Sequence, residues 1–223
     1  MKNLKYIVFD FDSTLVGSLK YWYKAIDKEA FKYFAIKNRK GFPKARAGLT
    51  NKEIVKCFID YSNAKLSQKE VADFWQSRMI FYYKNKIKII GGAKEFLEKL
   101  VNAGYKLILA SATPLKVLNI ALDEFDLKKY FEHIVTEETI KEPKRETDFY
   151  FKLLEKFNVK KDEIFVFEDS FYSLDSANKV GIKTCAIKHS INKNKLKNLG
   201  KNNLLVIKNY KSKKLKQLSI KNI

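Results

Sequence analysis

Apolar positions follow two rhythms along the chain, and the change from one to the other divides it. Tyr6–Phe9 (YIVF) is a short unbroken apolar run of strand character that leads into Asp10 and Asp12. From about Leu19 to Asn38, Trp22, Ile26, Ala30, Tyr33 and Phe34 recur at helical spacing. Gly and Pro in KGFPKARAG (Lys40–Gly48) interrupt that pattern. Thr50-Asn-Lys-Glu53 and Ser67-Gln-Lys-Glu70 have the form of capping boxes, which predicts helices through Tyr61 and from Ser67 to about Tyr83. Residues 18 to about 86 therefore read as an all-helical block set directly behind the first strand.

From Ile87 strands and helices alternate. Gly91-Gly92 opens a helix to about Ala103, which Gly104 ends. Tyr105–Ala110 is a buried-type strand, and a helix follows from Pro114, a residue suited to a first turn. Strand His133–Thr136, helix Thr147–Asn158, strand Glu163–Phe167, helix Ser170–Val180, strand Lys183–Ile187, strand Asn203–Ile207 and a helix from Tyr210 complete the pattern. Such alternation predicts an α/β fold with a doubly wound parallel sheet. The expected division is a core of residues 1–17 and 87–223 with an inserted helical domain of residues 18–86.

Composition narrows the class. At 223 residues with 46% hydrophobic content, the chain can bury a proper core. No apolar stretch reaches the roughly 20 residues of a membrane span. The start, MKNLKYIVFDFD, lacks the apolar region of a signal peptide. Cys57 and Cys185 lie far apart without metal-ligand partners and read as thiols in a reducing compartment, so a cytoplasmic enzyme is expected. The net charge of +20 raises nucleic-acid binding, but only Arg39, Arg46, Arg78 and Arg145 among the 45 basic residues are arginine. Lysine scattered among glutamate is a solvated surface rather than a set of Arg forks for bases and phosphates, which disfavours specific nucleic-acid recognition. The charge can still steer small anions.

Four polar clusters fall at predicted strand ends, where open parallel sheets take ligands. Asp10 and Asp12 crowd two acids together, and a metal, a shared proton or a cationic group must relieve them. The same pair could equally cap a strand end as an Asx turn. Ser111-Ala112-Thr113 offers a hydroxyl and backbone N–H groups, as a phosphate cradle or as a plain N-cap. Lys144 could neutralise phosphate oxygens. Glu168-Asp169-Ser170 follows EIFVF and, beside Asp10 and Asp12, would make a pocket of four carboxylates suited to Mg²⁺.

In their order and residue types these clusters resemble the haloacid dehalogenase-like superfamily over the whole chain. DFDSTLV is similar to its first motif, Ser111 to its second, Lys144 to its third and EDS (Glu168–Ser170) to its fourth. The helical block is similar to the cap of the beta-phosphoglucomutase and phosphoglycolate-phosphatase-like branch. Lys144, Asp148, Phe149 and Tyr150 resemble that branch's KPxPDxF/Y segment, with Arg145 and Thr147 in place of its prolines and Lys141 as the alternative lysine. Ser13 stands where Gly is commoner.

The resemblance implies a Mg²⁺-dependent phosphatase. Asp10 would be the nucleophile and Asp12 the acid and base. Mg²⁺ would be held by the Asp10 carboxylate, the Asp12 main-chain carbonyl and Asp169, with Glu168 orienting the set. Ser111, Ala112 and Lys144 would hold the transferring oxygens. Arg46 with Lys44, and Lys20 with Tyr21, are candidates for contacting the rest of a small phosphate ester at the cap entrance. His133 and His189 fall outside the predicted cap, which argues against a mutase with a cap histidine; both read as structural or surface residues. A phosphotransferase or phosphomutase of the same superfamily, or a catalytically weak basic binding protein on the same fold, are the alternatives, and a monomer or homodimer is expected.

Overall fold

In the computed structural model the described residues are 4–37, 42, 48–62, 64–190 and 192–218. Six strands, β1 (Tyr6–Phe9), β2 (Lys106–Ser111), β3 (His133–Thr136), β4 (Ile164–Glu168), β5 (Lys183–Ile187) and β6 (Asn203–Ile207), form one sheet in the order β3-β2-β1-β4-β5-β6. Every pairing is parallel. Alternate residues of each strand feed opposite faces, as the two-residue period requires. Ile7, Phe9, Leu109 and Phe167 enter one core, and Val8, Ile108, Ala110 and Val166 enter the other. Burial on both faces is why the strands read as continuous apolar runs.

Helices α1 (Ile26–Tyr33), α2 (Asn51–Tyr61) and α3 (Gln68–Asn85) lie between β1 and β2. Both expected capping boxes are present, at Thr50 with Glu53 and at Ser67 with Glu70. The chain leaves the sheet and returns to it through paired segments. Val16 bridges Ile89, Gly17 N–H donates to Lys88 O at 2.9 Å, and Ile90 N–H donates to Leu15 O at 2.8 Å. The single long helix expected over 19–38 is instead a π-helical stretch, Tyr21–Ala25, running into α1 and ending at Tyr33, with Ala35 in a left-handed conformation. Of that expected helix Asn38 lies outside the described residues, as does the KGFPKARAG loop except Phe42 and Gly48.

Helix α4 (Ala93–Asn102) leads the chain back into β2, and α5 (Leu115–Glu124), α6 (Glu137–Ile140), α7 (Thr147–Lys156) and α8 (Phe171–Val180) connect the later strands. Gly92 precedes α4 at φ 81°, and a Cβ there would lie 2.9 Å from Lys211 Cγ, so glycine is required on both counts. The helix expected from Tyr210 is a 3-10 segment, Lys213–Leu218. Its buried residues, Leu215 and Leu218, are three apart, a spacing that eclipses side chains in a three-residue turn. Tyr210 itself is buried against Phe96 and Phe167.

Candidate active site

The strand order reverses at β1, where the connections leave in opposite directions, and ligands gather at the carboxyl ends of strands at such a point. Asp10 follows β1, Ser111 ends β2 and Glu168 ends β4, so pairing of β1 with both neighbours brings three of the four polar clusters together. The fourth arrives on the loop between α6 and α7. Lys144 Nζ lies 2.7 Å from Asp10 Oδ1, 2.6 Å from Glu168 Oε2 and 2.8 Å from Ala110 O. The contacts to Asp10 and Ala110 are hydrogen bonds and that to Glu168 is an ion pair, at a position only 4% exposed. Lys141, the alternative, is exposed in a left-handed conformation at the end of α6.

Asp10, Glu168 and Asp169 each place a carboxylate oxygen within 4.8 Å of the others, and all three are buried. Burial raises the Asp10 carboxyl to about 7, the Glu168 charge pushes the same way, and Lys144 opposes both. Glu168 and Asp169 are also raised, again chiefly by burial. On Lys144, burial pulls downward, but Asp10 and Glu168 together hold the ammonium well above its ordinary range. Glu168 Oε1 accepts from the N–H groups of Asp169 and Ser170 at 2.9 and 2.8 Å. Its Oε2 is paired with Lys144 by charge but meets no donor at hydrogen-bonding angles.

All four carboxylates line the one cleft, but Asp12 stands outside the close three-acid group. Its oxygens accept instead from Trp22 Nε1 at 2.9 Å, Tyr83 O–H at 2.8 and 2.9 Å, and Thr113 O–H at 2.6 Å. Trp22 comes from the π-helical stretch and Tyr83 from α3, so two helices of the insert fix an acid of the first strand end. Ser111 is buried, and its Oγ accepts from Thr113 N–H at 3.0 Å. Ala112 is exposed beside it, and its carbonyl accepts from Asn51 Nδ2 at 2.7 Å.

A profile of the haloacid dehalogenase-like hydrolases matches residues 7–187, the span that holds all four clusters. The chain belongs to that family. The hydrolase is 26% identical over 202 residues to a phosphorylated carbohydrates phosphatase of Thermotoga maritima, covering 85% of this chain and 88% of that protein. It is 28% identical over 209 residues to a glyceraldehyde 3-phosphate phosphatase of Pyrococcus furiosus, covering 85% and 82%. Among solved structures, CbbY of Rhodobacter sphaeroides in complex with phosphate superposes with a TM-score of 0.75 at 18% identity, covering 93% of this chain and 95% of that one. A beta-phosphoglucomutase of Clostridium difficile gives 0.74 at 16%, covering 96% and 95%. These structural likenesses establish the fold.

The cleft of the hydrolase above the carboxylates has a volume of about 300 Å³. Leu19, Trp22, Leu49 and Ile54 give it apolar walls, with Arg145 and Lys195 among its cationic residues. Lys20 and Tyr21 do not line it; Tyr21 O–H donates to Lys86 O, and Lys20 sits over the Tyr21 ring. Arg46 and Lys44 lie outside the described residues. Arg145 had no expected role. Its guanidinium makes two bonds to Glu53, at 2.8 and 3.0 Å, and one to Gly48 O at 2.7 Å, tying the strand-end loop to the start of α2. Glycine is needed at 48, since φ is 92° and a Cβ would lie 2.7 Å from the Tyr172 ring. Ser13 sits at φ 62°, a left-handed position that suits glycine.

His189 corrects the reading of both histidines as structural or surface residues. It lines the cleft, and its Nε2 lies 2.8 Å from Asp169 Oδ2. His133 does not line the cleft, and its ring lies tilted against Tyr6 and Phe157.

Proposed function

We propose that this hydrolase is a phosphatase that cleaves a small phosphomonoester with Mg²⁺, through an aspartyl-phosphate on Asp10. The observation that carries the reading is the buried cluster of Asp10, Glu168 and Asp169 around Lys144. Three carboxylates against one ammonium leave two negative charges, the complement of a divalent cation. The upward push on all three acids has the same chief origin, burial in a desolvated site, which Lys144 offsets only in part. Hard oxygen donors fit Mg²⁺, and Asp10, Asp169 and the Asp12 main-chain carbonyl would hold it. Bound there, Mg²⁺ supplies positive charge to the phosphate oxygens.

The chain's own residues then divide the work. Asp10 attacks phosphorus in line as the ester P–O bond breaks, and Asp12 delivers a proton to the leaving oxygen. Asp12 next takes a proton from the water that hydrolyses the acyl phosphate, which returns Asp10 and releases inorganic phosphate. Ser111, the Ala112 main chain and Lys144 hold the transferring oxygens, and Glu168 orients Lys144 and the Asp169 main chain. Residues 18–86 act as a cap over a core of residues 1–17 and 87–223, consistent with the paired segments that join them. The cleft volume suits a small ester, and the names of the curated relatives put carbohydrate phosphates first among candidates. Among the described residues no helix is long and apolar enough to cross a membrane. Cys57 and Cys185, neither in a disulfide, fit the reducing cytoplasm.

A panel of phosphate esters assayed with Mg²⁺, with a chelator, and with Asp10→Asn tests the proposal. Phosphate release should vanish in both of the latter arms. Turnover that survives both would overturn it, and product without free phosphate would point to transfer onto a second acceptor.

A further inference from the structure

The loop after β5 carries a hydrogen-bond network that the phosphoryl chemistry leaves unused. Asn192 is 5% exposed and fully engaged: its Nδ2 donates to Asp169 O and Ile187 O, both at 2.8 Å, and its Oδ1 accepts from His189 N–H at 2.9 Å. The Asn192 backbone N–H in turn points at His189 Nδ1, at 3.4 Å. An acceptor at Nδ1 leaves the ring proton on Nε2, which donates to Asp169 Oδ2 at 2.8 Å. The other oxygen, Oδ1, receives a long hydrogen bond from Thr14 O–H at 3.3 Å.

We propose that His189, braced by Asn192, is a positioning residue for the divalent cation. It holds one oxygen of Asp169, stops the carboxylate from rotating, and leaves the other oxygen to meet the ion singly. The inference rests on the reading above that Asp169 is a metal ligand. Mg²⁺ demands near-octahedral geometry and tolerates a loosely oriented carboxylate poorly, so an outer donor that fixes the ligand acts on affinity directly. The same loop holds the Asp169 main chain through Asn192, so backbone and side chain of the ligand are set by one structural unit.

Calorimetric titration with Mg²⁺, and electron paramagnetic resonance titration with Mn²⁺, test this on wild type, His189→Phe, His189→Ala and His189→Gln. Outer-sphere donors of this kind are worth about 10–100-fold in metal affinity, and His189→Phe and His189→Ala should each weaken binding by that factor. His189→Gln, whose amide keeps an N–H donor, should recover most of it. The metal-free His189→Ala and His189→Phe proteins lose the hydrogen bond to Asp169 and should melt lower, while His189→Gln should melt near wild type, so affinities are compared at a temperature where every variant is folded. Recovery of affinity in His189→Gln is the readout that a purely structural histidine would not give, and His189→Ala carries the test if the larger Phe disturbs the loop. Unchanged affinity in His189→Phe and His189→Ala, with tight wild-type binding, overturns the inference alone. Wild type without saturable binding, or binding that Asp169→Asn leaves intact, contradicts the metal reading itself.

Discussion

The floor and the roof of the cleft are both built from ion pairs, yet they follow opposite physics. On the floor, Lys144 meets Asp10 and Glu168 where each side chain is under a tenth exposed. On the roof, Arg145 grips Glu53 where the side chains are 29% and 42% exposed. Desolvated charges depend on one another, and removal of one leaves the rest uncompensated. Half-wet charges are screened and can trade partners with a ligand at little cost. The floor is thus suited to hold one fixed arrangement for chemistry, and the roof to be rearranged by whichever substrate enters.

The sharpest way to break this contrast is Lys144→Met. Loss of one partner of a buried pair costs about 3–5 kcal/mol, so urea unfolding of the metal-free protein should show a loss of that size, together with no measurable turnover. A loss below about 1 kcal/mol, the surface-pair range, would mean that the floor is not desolvated. Next in size is the brace on Asp12. Tyr83→Phe removes an O–H that both Asp12 oxygens share, and a hydrogen bond to a charged group is worth about 1.5–3 kcal/mol. We expect kcat to fall about 10- to 100-fold with KM little changed.

Acidity separates the two regions by sign. Asp10 binds its proton more tightly folded than unfolded, so its contribution to metal-free stability is greatest below its ordinary 3.8 and is lost as pH rises to about 7. Glu53 runs the other way. Arg145 first, and the Thr50 cap after it, hold its carboxyl down to about 2, so its contribution is present above 4.5 and is lost as pH falls towards 2. Thermal melts across pH should lose the upper slope in Asp10→Asn and the lower one in Glu53→Gln. The smallest effect belongs to Glu53→Gln at neutral pH, where stability should change by less than about 1 kcal/mol while KM shifts more than kcat.

The same division governs what could be read from the chain. The strands and the floor were legible because a parallel sheet writes its ligand site at consecutive strand ends, and Asp10, Ser111 and Glu168 each follow an unbroken apolar run. The partners of Asp12 were not, because Trp22 and Tyr83 lie at helical positions where an aromatic reads as core, and only tertiary folding aims their polar atoms at a carboxylate. Arg145 stood out as a substitution for proline, but its grip on Glu53 spans 92 residues and leaves no local signal. His189 could have been found, since it lies two residues beyond the end of β5, on the same edge as Asp169. The terminal 3-10 segment was misread as a helix because its two buried leucines suit either period over so short a span.

The central claim is that Asp10 accepts the phosphoryl group, and acid-quenched mass spectrometry during turnover tests it most directly. The account predicts the added mass of one phosphoryl group on the peptide containing Asp10, removable by hydroxylamine and absent in Asp10→Asn. Steady hydrolysis with the phosphoryl group trapped on another residue would contradict it.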